Sequence, residues 1–195
     1  TGGPLAAAWA VLNFLADEGY LEIARQTMAA TRQMAEGINA MEGLELQVQP
    51  EMFMFSVKSD VVNVFHVIDE MKDRGWYIQP QLAFQNSPKN FHISVAASNI
   101  DHIADMLAAL KDSVEAAKGM ESGETVKTVL EAIGSMKAED LTEDNIGDMM
   151  ELAGVSSDTL PEKMADINDI MNALSVDHRE LLLTEFLNDL FVYHG

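Results

Sequence analysis

Five histidines, at 66, 92, 102, 178 and 194, are the side chains of this 195-residue chain best suited to moving a proton near neutral pH. Only His92 falls on the polar face of a well-patterned strand: Asn90 to Ala97 alternates, with Phe91, Ile93 and Val95 on one side and His92, Ser94 and Ala96 on the other. A histidine so placed either faces a ligand or is a partly buried ring bonded to backbone, and the pattern leaves both open. His66 and His102 fall on helices among apolar neighbours and read as core or surface residues. The carboxylate pairs Glu139-Asp140 and Glu143-Asp144, and Asp166 with Asp169, lack the spaced oxygen ligands and central glycine of a calcium loop, so they read as solvated acidic surface. The sequence holds no phosphate loop ending in Gly-Lys-Ser/Thr, no dinucleotide fingerprint, no His-Glu-x-x-His helix and no Gly-x-Ser-x-Gly elbow. It has no cysteine, which removes thiol nucleophiles, Cys-ligated zinc and disulfides together and reads as a reducing, cytoplasmic setting. Of the 13 methionines, Met52, Met54 and Met71 are expected at core positions, where a flexible side chain fills gaps.

Charge narrows the possible partners. Twelve Lys and Arg stand against 32 Asp and Glu, a formal charge of −20, so a general nucleic-acid binder is excluded for want of anything to neutralise phosphates. The charge divides near Gly119: residues 1–119 hold 8 basic and 15 acidic side chains, residues 120–195 hold 4 and 17. The run Leu5 to Leu15 contains Asn13, is too short to cross a bilayer and follows no basic segment, so neither a membrane span nor a signal peptide is expected. Thr1-Gly2-Gly3-Pro4 runs into a helical pattern without an initiator Met, which predicts a chain cut from something longer.

These side chains need elements to position them, and periodicity predicts the elements. Pro4 suits a first helical turn, and Leu5, Trp9, Leu12 and Leu15 follow at helical spacing until Asp17-Glu18-Gly19. A second helix is predicted from Tyr20 to about Met41, ended by Gly43. Leu44 to Val48 alternates like a half-buried strand, whereas Met52 to Val57 is nearly all apolar and predicts a strand covered on both faces. Val61 to Arg74 reads as a helix stopped by Gly75, Trp76 to Leu82 as a strand, and Ser98-Asn99 as the cap of a helix from Ile100 to about Lys118. The expected result is a predominantly antiparallel sheet of segments 45–49, 52–58, 76–82 and 90–97 covered by helices. Beyond Gly119-Met120-Glu121-Ser122-Gly123-Glu124, a candidate linker, the pattern is wholly helical: Val126 to Met136, Asn145 to Leu152, Pro161 to Leu174 and Asp177 to Val192.

Several strings resemble a known family. Thr1-Gly2-Gly3-Pro4 leading into Leu5-Ala6-Ala7-Ala8-Trp9-Ala10 and Glu18-Gly19-Tyr20, then Arg74-Gly75-Trp76 and Asn90-Phe91-His92-Ile93-Ser94-Val95, resemble the end of group II pyridoxal-phosphate-dependent decarboxylases, most of all the sphingosine-phosphate-lyase branch. The resemblance covers about residues 1–118. It implies an α/β class: the α+β small domain of a type I aminotransferase-like fold, with an all-helical C-terminal extension. The implied division is a helix leaving the large domain over 1–19, a small C-terminal domain over 20–118, a linker over 119–124 and an acidic helical extension over 125–195, for which the family core offers no counterpart.

By that resemblance the cofactor is pyridoxal 5'-phosphate, held mainly by a large domain upstream of Thr1 that would carry the Schiff-base lysine. In the family that lysine usually follows a histidine, and no histidine here precedes a lysine. Thr1 and Gly2 match the family's small-residue turn near the cofactor phosphate, with a plain helix-entry turn as the alternative. His92 matches the position where glutamate-type decarboxylases carry an arginine for the substrate carboxylate, and imidazole cannot give that bidentate pairing. The resemblance therefore implies part of a lyase or decarboxylase, inactive alone, homodimeric when whole, acting on a small amine or amino-acid-like substrate. The rival from the residues themselves is a self-standing acidic helical module that binds a protein partner.

Overall fold

The computed structural model describes residues 1–135, 162–180 and 183–184. Helix α1, Gly3–Asn39, starts with Pro4 in its first turn and changes direction at Ala16, whose φ of 47° and ψ of −169° are not helical. The break falls one residue before the predicted Asp17-Glu18-Gly19. Past it, Thr27, Ala30, Thr31, Met34, Ala35 and Ile38 repeat at helical spacing and are buried, and Thr31 Oγ1 donates to the Thr27 carbonyl at 2.8 Å. Before Thr27 no residue of α1 is buried.

The sheet holds β1 (Glu45–Leu46), β2 (Met54–Lys58), β3 (Gln79–Gln81) and β4 (Asn90–Ser94) in the order β1-β2-β4-β3, every pair antiparallel. The expected strands are all present and all shorter. Register places Val57 opposite Phe91 and Phe55 opposite Ile93, and these four, with Leu46 and Val95, form the buried face. On the other face Met54 lies opposite Ser94, and Ser56 and Gln79 flank His92 on either side.

Two expectations about this region are corrected. Met52 and Met54 are not core residues, and with Phe53 they are exposed, Met52 at 59%. The apolar run from Met52 to Val57 marks a strand covered on one face only, because the alternation still sends every second side chain outward. Met71 is fully buried, as expected.

Helix α2, Val64–Asp73, begins later than predicted because Asn63 stays extended and its Oδ1 accepts the Phe65 N–H at 3.1 Å, while Ser59 Oγ accepts the amides of Val61 and Val62. It stops at Gly75 (φ 83°), where the Trp76 amide reaches the Met71 carbonyl and the Gly75 amide reaches Lys72, both at 2.9 Å. This double closure needs a left-handed residue, so glycine there is a geometric requirement. A 3-10 turn, Ala97–His102, precedes α3, Ile103–Ala117. Asn99, expected to cap the helix, accepts the Ala96 amide at 2.8 Å and so draws the start back to Ala97. Helix α3 packs on α1 closely enough that a Cβ on Gly37 would lie 2.6 Å from Leu107 Cδ1.

Helices α4 (Glu124–Ser135) and α5 (Ala165–Ala173) share a second apolar cluster of Val126, Val129, Ile133, Ile170 and Leu174. The predicted helix over 145–152 lies outside the described residues. The α5 segment joins the sheet domain through α2. Asp69 Oδ1 and Oδ2 accept the amides of Met164 and Ala165 at 3.0 and 2.8 Å, so a side chain from another helix satisfies donors that the start of α5 leaves free.

Glu70, also buried, accepts from Arg74 Nη1 at 2.8 Å and from Lys163 Nζ at 3.2 Å. The Arg74 hydrogen bond, aided by Lys163, holds its carboxyl below the usual 4.5. A carboxyl depressed on folding adds stability that is complete above its unfolded pKa and is lost as pH falls through the lower folded value. The chain is therefore expected to lose stability below about pH 4.5, and Glu70→Gln is expected to flatten that acid limb while costing about 1–2 kcal/mol at pH 7. Urea midpoints of both proteins between pH 3 and 7 check this; parallel acid limbs would refute it.

Candidate functional site

His92 stands at the centre of the outward face of β4, half-buried between Ser56 of β2 and Gln79 of β3. It lines a groove of about 250 Å³ with Trp76, Tyr77, Gln79, Ser94 and Asn99. Each strand delivers its residue by parity: β4 sends 92 and 94 outward, and the paired residue of β3 must follow. Trp76 and Tyr77 come from the irregular segment after Gly75, where Ile78 alone is buried and Tyr77 is exposed.

The His92 Nδ1 is buried and has no hydrogen-bond partner. An unpaired buried polar atom of this kind costs ~1–3 kcal/mol. No Lys, Arg, Asp or Glu lines the groove, and its polar groups are the His92 imidazole, the Gln79 and Asn99 amides and the Ser94 hydroxyl, beside the Trp76 and Tyr77 rings. Farther along the same face, Ser56 Oγ donates to Gln47 Oε1 at 2.9 Å, and Lys58 pairs with Glu45 at 2.9 Å.

Thr1 and Gly2, the other two sites expected from the sequence, are not brought to this groove. They lie exposed at the start of α1, where Gly2 precedes the helix without a side-chain cap and its carbonyl accepts the Ala6 amide at 3.0 Å. No hydrogen bond joins either residue to His92. Among the other histidines, His66 is half-buried with Nε2 unpartnered, His102 is exposed, and His178 shares a 2.7 Å hydrogen bond with Ser175 Oγ. His194 lies outside the described residues.

Sequence reasoning missed Gln79, Ser56 and the aromatic pair because their places depend on strand register, which periodicity does not supply. It also misplaced Asp169. Rather than solvated surface, Asp169 is a buried carboxylate paired with Lys89 Nζ at 2.8 Å and bonded by Asn63 Nδ2, while Lys89 also reaches Asn63 Oδ1 at 3.0 Å and sits 5.0 Å from the Phe65 ring centroid. Glu139-Asp140 and Glu143-Asp144 lie outside the described residues. Among the described residues, no group of three or more His, Asp or Glu is arranged to hold a metal, and no helix is long and apolar enough to cross a membrane.

Residues 127–189 match the family model described as "Pyridoxal-dependent enzyme, C-terminal putative HTH domain". The stretch that the sequence reading left without a family counterpart therefore has one. Over 117 residues, 60% of the chain, it is 30% identical to a sphingosine-1-phosphate lyase of Arabidopsis thaliana and 33% identical to one of Oryza sativa. In each case it spans 21% of the relative's length. The solved structure of a Burkholderia pseudomallei sphingosine-1-phosphate lyase superposes with a TM-score of 0.54 at 28% identity, covering 60% of this chain and 26% of that one. A Lactobacillus brevis glutamate decarboxylase shares the fold, with a TM-score of 0.54 at 14% identity over 59% of this chain and 28% of that one.

The cofactor of such enzymes needs a lysine amine for its aldehyde and donors for its phosphate. The groove residues do not fit it, since no lysine or arginine lines the groove. Lys58, Lys89, Lys118, Lys127 and Lys163 are each paired with carboxylates elsewhere, and Lys72 donates to the Glu162 carbonyl at 2.7 Å. Through its match to the lyases and to the pyridoxal-dependent C-terminal model, the chain is related, over part of its length, to the group II pyridoxal-phosphate-dependent decarboxylases and their sphingosine-phosphate-lyase branch.

Proposed function

We propose that this chain is the C-terminal portion of a pyridoxal-phosphate-dependent carbon–carbon lyase or decarboxylase and is not catalytic alone. The observation that carries the reading is the superposition on the Burkholderia pseudomallei lyase, which spans 26% of that chain. On this reading an upstream large domain holds the cofactor and the Schiff-base lysine. The present chain adds one wall of the active site, where the groove lined by His92 would receive a small amine or amino-acid-like substrate. A lining without arginine or lysine favours a hydroxyl-bearing, lyase-like substrate over a second carboxylate, which would call for a guanidinium. Thr1 and Gly2, exposed at the head of α1, are proposed to contribute to the phosphate turn, and the apolar stripe behind them to pack on the large domain or a second subunit in a homodimer.

Borohydride trapping with pyridoxal phosphate tests this. The 195-residue chain alone is expected to give only slow, scattered lysine modification, whereas the product of the coding region extended upstream of Thr1 gives one stoichiometric adduct, on a lysine outside these residues. A stoichiometric adduct on one lysine of this chain, or none in the extended product, would overturn the proposal.

A further inference from the structure

The segment matched to a helix-turn-helix description contains 4 basic and 15 acidic residues between 127 and 189, an unusual charge for a reader of DNA. Its described cations are already engaged. Lys127 bridges Glu121 and Glu124, Lys163 bridges Glu70 and Asp73, and Arg179 is turned inward onto backbone carbonyls.

What Arg179 holds is specific. Its Nη1 donates to the Ala83 carbonyl at 2.7 Å, its Nη2 to the Asn172 carbonyl at 2.6 Å and its Nε to the Leu174 carbonyl at 3.0 Å. Asn172 Oδ1 accepts the Ala83 amide at 2.7 Å. Both backbone groups of Ala83 are thus satisfied by the C-terminal segment and not by a neighbouring strand. Ala83 is the root of the β3–β4 hairpin, whose tip closes through reciprocal Phe84–Ser87 backbone bonds of 3.0 and 2.9 Å. The other root, Lys89, is held by Asp169 of α5. Between Asp69, which receives the start of α5, and Arg179, the segment grips the domain at both ends.

We propose that this segment is an intramolecular clamp that fixes the β3–β4 hairpin, and with it Gln79 and His92, and that it reads no nucleic acid. Asn172 and Arg179 are its positioning residues. The inference stands apart from the catalytic reading, because its test needs no cofactor.

Amide hydrogen exchange on the full 195-residue chain decides it. Asn172→Ala is expected to speed exchange at Ala83, Phe84 and Ser87 roughly tenfold or more, as loss of a half-buried acceptor does, with the amides of α1 and α3 unchanged. Asn172→Asp keeps the acceptor and is expected to restore protection. Should Asn172→Ala lose protection throughout, the milder Arg179→Lys reads the same hairpin: faster exchange confined to it supports the clamp, and unchanged exchange overturns it. A fluorescein-labelled mixed-sequence duplex in low salt is expected to show no anisotropy change up to roughly 100 μM chain, the weak end of non-specific DNA binding. Duplex binding, or hairpin exchange indifferent to Asn172→Ala, would overturn the proposal.

Discussion

Replacing Phe91 by alanine is expected to lower the unfolding free energy by about 3–5 kcal/mol. Phe91 is fully buried at the centre of the inner sheet face, opposite Val57 on one neighbour and Pro80 on the other, so its loss opens a void that α2 and α3 cannot easily collapse to fill. Against a whole-domain stability of about 5–15 kcal/mol, that change brings the chain near its folding threshold. His92→Ala, one residue along but on the opposite face, is expected to shift the urea midpoint by less than the equivalent of about 1 kcal/mol. Equal losses at the two positions would mean that the inner and outer faces are wrongly assigned.

The second large effect concerns Trp9. Trp9 is 68% exposed and Phe14 87%, with Leu5 and Leu12 also open to solvent, and no described residue covers them. Aromatic anchors of this kind carry about 2–4 kcal/mol at an interface. The isolated chain is therefore expected to self-associate through this stripe, and Trp9→Glu to raise the dissociation constant roughly 30- to 1000-fold. Sedimentation equilibrium measures it, while urea unfolding of the sheet domain should remain unchanged. A wild-type chain that stays monomeric with residues 5–15 ordered, or a variant whose sheet unfolds, would show that the helix belongs to another core.

How much could be read in advance depended on how far apart the interacting residues lie in sequence. The β4 strand was legible because Phe91, Ile93 and Val95 keep a strict period of two, and α2 because Val64, Val67, Ile68 and Met71 keep a helical one. Gly75 announced its own turn. Ala16 did not, since alanine is a strong helix former and nothing local predicts a positive φ there. Met52–Met54 misled for a related reason: hydrophobicity reports that a side chain wants cover, not that this part of the chain provides it. Of the groove, only His92 was visible, as the polar residue on an alternating strand, while Gln79 and Trp76 needed register and the turn after Gly75. Pairs such as Asp69 with Ala165 or Lys89 with Asp169 join residues 96 and 80 positions apart, and no local pattern encodes them.

The strand order has a consequence for how this chain behaves in a crowd. Its two border strands, β1 and β3, are the places where a foreign strand could add to the sheet. The first is only two residues long and presents Glu45. The second has Pro80 at its middle, which has no N–H to lend to a newcomer. Just past it, Ala83 has its amide and carbonyl already taken by Asn172 and Arg179. A sheet bordered in this way resists templating its own kind, so the exposed apolar side chains of β2 and α1 can wait for a specific partner without inviting edge-to-edge fibrils.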